Sequence, residues 1–87
     1  MNISVNGERL CQRLMDMAAI GATEAGGSNR QALSDEDHAG RKLFEAWCKQ
    51  AGCEVRRDAI GNIFARRQGK NETMPPVLSG SHLDTQP

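Results

Sequence analysis

At Cys53 the spacing of apolar residues changes from a helical period to an alternating one, and no other feature limits the fold so strongly. Before the switch, Leu10, Leu14, Met17 and Ala18 follow the i, i+4, i+7, i+8 rule of one helix face, and Asn6 stands where an N-cap is wanted. That helix is predicted to end near Gly21. A second helix opens at Ser34, with Asp35, Glu36 and Asp37 in its first turn, where carboxylates meet the positive end of the helix dipole. Ala39, Leu43, Ala46 and Trp47 form its apolar stripe, Phe44 and Cys48 widen it, and Gly52 suits a left-handed C-terminal cap. Such a stripe is expected to pack on a sheet.

After the switch, Cys53-Glu54-Val55-Arg56-Arg57 alternates, residues 58–62 hold turn formers, and Ile63-Phe64-Ala65-Arg66 resumes as a strand. An antiparallel hairpin is the economical reading. Gly61 takes a positive φ without steric cost, and the Asp58 and Asn62 side chains are placed to bond nearby backbone. Residues 68–76 read as an exposed loop, because Pro75-Pro76 cannot continue a ladder, and a third strand is expected over residues 77–81. The result is an α/β fold of two helices, a β-hairpin and one further strand.

Between the helices, residues 21–33 surround Gly26-Gly27-Ser28-Asn29 and lack periodicity, so they read as a surface loop. A phosphate cradle is the sharper alternative. The Gly-x-x-x-x-Gly-Lys-Ser/Thr pattern is absent and no strand precedes the glycines, which favours the plain loop.

Composition narrows the function classes. Eleven basic and eleven acidic side chains cancel, so no global field draws the chain to nucleic acid or to an anionic membrane. At 87 residues, with 38% hydrophobic and 3% aromatic content, the chain is lean for an independent core. Cys11, Cys48 and Cys53 are odd in number and lack C-x-x-C spacing, so reduced thiols and a cytoplasmic location are expected. No apolar run approaches membrane-spanning length, and no secretory leader is evident. Arg56, Arg57, Arg66 and Arg67 on the hairpin raise a nucleic-acid-binding module as an alternative of a different class. Phe64 is the only ring near them, and a solvated strand face accounts for the pattern better. His38, among charged neighbours in the second helix, is assigned no role.

The chemistry concentrates at the end of the chain. If residues 77–81 form a buried strand, the period of two places His82 and Asp84 on one face of its continuation, an imidazole beside a carboxylate. That pair suits a metal ligand with a polar supporting shell, beyond the carboxyl end of a strand, where ligands commonly sit in α/β sheets. Taken alone, His-x-Asp is a weak signal. Asp84 also has a second reading, as a turn cap beside Thr85.

The order Asn6-Gly7-Glu8-Arg9-Leu10, Ile20-Gly21-Ala22-Thr23, Ala51-Gly52-Cys53, Asp58-Ala59-Ile60-Gly61-Asn62-Ile63 and Gly80-Ser81-His82-Leu83-Asp84-Thr85-Gln86-Pro87 covers nearly the whole chain. It resembles the N-terminal part of the N-carbamoyl-L-amino-acid hydrolase and allantoate amidohydrolase family, whose specific signature is Gly-Ser-His-x-Asp-Thr-Gln-Pro. Aminoacylases and di-zinc exopeptidases of the carboxypeptidase type are wider relatives, and a di-zinc aminoacylase or dipeptidase is the alternative activity. The resemblance implies residues 1–87 as the N-terminal portion of one di-zinc exopeptidase-like catalytic domain, incomplete, with the lid and dimerisation domain absent. It also implies two divalent metal ions, zinc or manganese, with His82 as a metal ligand and Asp84 in a catalytic supporting role that orients the imidazole. The implied partners are an N-carbamoyl amino acid or ureide substrate and, at full length, a second copy in a homodimer, with neither nucleic acid nor membrane. The family's remaining ligands and its general base lie beyond Pro87. The 87-residue chain alone is therefore expected to be inactive, to bind zinc weakly, and to aggregate or remain partly disordered.

Overall fold

A computed structural model describes residues 3–87. Two helices, α1 (Gly7–Ala19) and α2 (Asp35–Gln50), precede two strands, β1 (Glu54–Arg57) and β2 (Ile63–Arg66). By density of internal contacts the chain divides into one unit of residues 1–40 with 83–87 and another of residues 41–82.

In the first unit, α1 begins as its sequence dictates. The Asn6 side chain accepts a hydrogen bond from the Arg9 amide at 3.0 Å, satisfying one of the free N–H groups of the first turn. The helix stops at Ile20, which is extended, and Gly21 follows at φ +85°. A Cβ at Gly21 would lie 2.5 Å from the Asn29 carbonyl oxygen, so only glycine lets the loop close there. The Asn29 amide donates to the Gly21 carbonyl at 2.7 Å, and Ala22 pairs with Ser28 in an isolated antiparallel bridge. Of the predicted α1 stripe, Met17 is buried, whereas Leu10 and Leu14 are more than half exposed.

The start of α2 uses two side chains. Ser34 Oγ accepts from the Asp37 amide at 3.2 Å, and Asp37 reaches back to accept from the Leu33 amide at 3.1 Å. Asp37 is buried while doing so, and Leu33 sits at φ +71°, a conformation unusual for a branched residue.

In the second unit, α2 closes with the predicted glycine cap. Gly52 has φ +83°, the Cys53 amide donates to the Cys48 carbonyl at 2.9 Å, and the Gly52 amide donates to Lys49 at 3.0 Å, the paired bonds of a Schellman ending. The hairpin then forms in the register Glu54 to Arg66, Val55 to Ala65, Arg56 to Phe64 and Arg57 to Ile63. Its loop is organised by Asp58. One carboxylate oxygen accepts from the Ile60 and Asn62 amides at 3.1 and 2.8 Å, and the other accepts from the Asn62 side-chain amide at 2.7 Å. Gly61, at φ +95°, completes the turn.

Two expectations need correction. Residues 77–81 join no ladder, so the sheet has two strands among the described residues, and Val77 and Leu78 are almost fully exposed. An apolar run records a tendency to pair, and a strand exists only where a neighbouring backbone supplies the ladder. The α2 stripe, expected to pack on a sheet, is only partly covered: Leu43 and Trp47 are half-buried and Ala46 is exposed. A two-stranded ribbon is too narrow to cover a four-turn helix. An ion pair does tie helix to hairpin, with Glu45 Oε1 2.9 Å from Arg57 Nε, although the two groups are not in hydrogen-bonding alignment.

Hydrogen bonds from Asn62, foremost from its side-chain amide, hold the Asp58 carboxyl below its ordinary pKa. The folded hairpin therefore binds its proton less readily than the unfolded chain, and the carboxylate's stabilisation is present above about pH 4 and lost as pH falls through the depressed folded value. Protection of the Ile60 and Asn62 amides, taken relative to the intrinsic exchange rate at each pH, is predicted to fall on acidification below about pH 4, and Asp58→Ala is predicted to abolish that dependence. An acid response unchanged in Asp58→Ala would refute the assignment.

Candidate functional site

Arg30 organises the segment that carries the predicted acid. It is 5% exposed and lies at the end of the glycine-rich loop. Its backbone pairs in both directions with Thr85: the Arg30 amide donates to Thr85 Oγ1 at 2.9 Å, and the Thr85 amide donates to the Arg30 carbonyl at 2.8 Å. Its Nε donates to the Leu83 carbonyl at 3.0 Å. These bonds grip the chain on both sides of Asp84.

The other end of the guanidinium faces α1. Nη1 donates to the Met17 carbonyl at 2.8 Å, the Ile20 carbonyl at 2.7 Å and Ser28 Oγ at 3.1 Å. Carbonyls at a helix C-terminus lack partners within the helix and carry the negative end of its dipole, so a buried cation is well placed there. Three acceptors around one NH₂ group also require a shared hydrogen. Gly40 makes room for the side chain, since a Cβ there would lie 2.8 Å from Arg30 Cδ and 3.3 Å from Met17 Sδ.

The candidate residues themselves differ in environment. His82 is exposed, Asp84 is half-buried, and Leu83 and Thr85 beside it are half-buried too. Among the described residues no three His, Cys, Asp or Glu side chains gather closely enough to hold a metal ion. A catalytic zinc takes about three protein ligands and an open position. A complete donor set is not assembled by the described residues.

Several arginines of the hairpin are paired with carboxylates. Arg56 Nε lies 3.0 Å from Glu54, Arg57 bonds Glu45 as an ion pair, and Arg66 lies 3.9 Å from Glu72. No helix of the described residues is long and apolar enough to cross a membrane.

Arg30 was not legible in advance. A lone arginine among Ser28, Asn29 and Gln31 has the composition of a solvated loop, and its partners are mostly backbone carbonyls, which leave no mark in sequence. The burial of Asp37 and Glu45 was not legible for a similar reason, since both sit in stretches whose charge suggests solvent.

No family model matches the chain. Individual proteins do. The chain is 50% identical over 86 residues to an N-carbamoyl-L-amino-acid amidohydrolase of Rhizobium meliloti, an alignment covering 99% of this chain and 21% of that protein. It is 38% identical over 81 residues to an N-carbamoyl-L-amino acid amidohydrolase of Geobacillus stearothermophilus, covering 93% of this chain and 20% of the relative. Among solved structures, a hydantoinase/carbamoylase family amidase from Burkholderia ambifaria superposes with a TM-score of 0.91 at 57% identity, over 95% of this chain and 20% of that one. The chain thus spans about a fifth of the length of the curated relatives it matches.

Replacing Arg30 by lysine leaves one ammonium to serve acceptors spread from Met17 to Leu83, and several carbonyls lose their donor. Arg30→Lys is predicted to lower stability by about 2–4 kcal/mol in urea unfolding of the full-length protein, the range for breaking a buried hydrogen-bond network. A loss under about 0.5 kcal/mol, the size of an ordinary surface substitution, would contradict the assignment.

Proposed function

Because the chain belongs to the hydantoinase/carbamoylase family of amidases, we propose that it contributes His82 to the site of a metal-dependent amidohydrolase acting on N-carbamoyl-L-amino acids. The activity is assigned to a chain of full family length, of which these residues form about a fifth. The observation that carries the reading is the string Gly80-Ser81-His82-Leu83-Asp84-Thr85-Gln86-Pro87, set in a chain alignable from end to end with a named N-carbamoyl amidohydrolase.

In this reading His82 offers a neutral ring nitrogen to one of two divalent metal ions, zinc or manganese. Asp84 is assigned to the other ring nitrogen, where a carboxylate fixes the tautomer and raises the basicity of the ligand. When bound, the metal ions supply an acidified water and polarise the carbonyl under attack. Hydrolysis of the carbamoyl group consumes one water and yields the free amino acid, carbon dioxide and ammonia. Asp84 is half-buried, which limits competition from solvent for its carboxylate. A ureide such as allantoate carries the same carbamoyl nitrogen and is the second substrate class. The chain is assigned to the cytoplasm, with its thiols reduced, and a homodimer is assigned to the full-length protein.

Full-length protein is predicted to release ammonia from N-carbamoyl-L-amino acids faster than it cleaves N-acyl amino acids or dipeptides. His82→Ala is predicted to lower turnover on the order of 100-fold or more and to reduce metal content, since even residues that only support a ligand are worth about 10- to 100-fold. Faster cleavage of dipeptides would favour the exopeptidase alternative, and unchanged turnover and metal content in His82→Ala would remove the imidazole from the site.

A further inference from the structure

Arg30 is bonded to the residues on both sides of Asp84, and we infer that it is a positioning residue for the proposed metal site, acting through the backbone of residues 83–85. This inference rests on the reading of His82 and Asp84 given above. It goes further by naming the device that fixes the acid in place.

The geometry has three parts. The Arg30 amide donates to Thr85 Oγ1 at 2.9 Å and the Thr85 amide donates to the Arg30 carbonyl at 2.8 Å, which sets the position of the residue after Asp84, and the Nε bond to the Leu83 carbonyl at 3.0 Å sets the residue before it. With both flanking peptides held, the Cα to Cβ direction of Asp84 loses most of its freedom, leaving chiefly side-chain rotation. The anchor itself is fixed, because Nη1 is bonded to Met17, Ile20 and Ser28 and the guanidinium is shut away from water. A rigid support of this kind is what a metal site requires, since errors near 0.5 Å in a supporting shell weaken the ligand it orients. An exposed loop end would drift by more than that.

The arrangement also explains why Thr85 carries a hydroxyl. Thr85 Oγ1 accepts from the Arg30 amide and lies 3.4 Å from Ser28 Oγ, which itself accepts from the guanidinium. Valine at this position would keep the shape and remove the acceptor, whereas serine would keep the acceptor. Thr85 is therefore the gentlest place to loosen the grip without emptying the buried site of Arg30.

The test measures the affinity of the full-length apoprotein for Zn²⁺ by competition with a chromogenic chelator, for Thr85→Val, Thr85→Ser, His82→Ala and Asn6→Ala. The last variant removes the α1 cap and serves as a control for general destabilisation. Thr85→Val is expected to raise the Zn²⁺ dissociation constant about tenfold, the lower end of the range for residues supporting a metal ligand. Thr85→Ser and Asn6→Ala are expected to stay within about twofold of the parent, close to the value for a change that leaves the supporting shell intact. If Thr85→Val binds like the parent while His82→Ala is weakened, the positioning role is overturned and the metal assignment survives. Equal weakening in Asn6→Ala and Thr85→Val would also overturn it, since loss of fold would then suffice. If His82→Ala binds like the parent, the metal assignment fails and the positioning role falls with it.

Discussion

A buried guanidinium holds the first unit together. Removing an arginine from water costs several kcal/mol unless its donors are met, and here Nε and Nη1 of Arg30 find carbonyl and hydroxyl oxygens at 2.7 to 3.1 Å. Other residues of the unit are shaped around that group. Gly40 gives it passage beside α2, Gly21 lets the loop close so that Ser28 reaches it, and Ile20 turns its carbonyl out of helical geometry toward it. Met17 is the buried apolar residue among those described, so polar bonding at Arg30 stands in for much of the hydrophobic packing a larger core would supply.

Local features were readable from the sequence because their causes are local. The Asn6 cap, the Ser34 start and the Asp58 turn each depend on a side chain meeting backbone within five residues, the Gly52 ending depends on backbone bonds over the same span, and all form as expected. The hairpin register follows from the same turn. Features that depend on distant residues were not readable. Arg30 meets residues 53 and 55 positions away, and nothing in its neighbourhood announces them. The third strand failed in the opposite sense: residues 77–81 have the right composition, but no neighbouring backbone pairs with them among the described residues.

The functional segment shows both kinds of information at once. The His82 and Asp84 spacing is visible in the sequence, and its similarity to N-carbamoyl-L-amino-acid amidohydrolases gives it meaning. What holds the acid in place is visible only in three dimensions, where residues 83 and 85 are tied to a loop more than fifty positions earlier. The His82 and Asp84 spacing and the bonds that hold residues 83–85 thus draw on different parts of the chain.

The most direct measurement is X-ray absorption at the zinc edge on zinc-loaded full-length protein, compared with His82→Ala at equal metal occupancy. The account predicts imidazole nitrogen scattering at about 2.0–2.1 Å from zinc, reduced by one ring in the variant. An unchanged number of imidazole ligands in His82→Ala would contradict it.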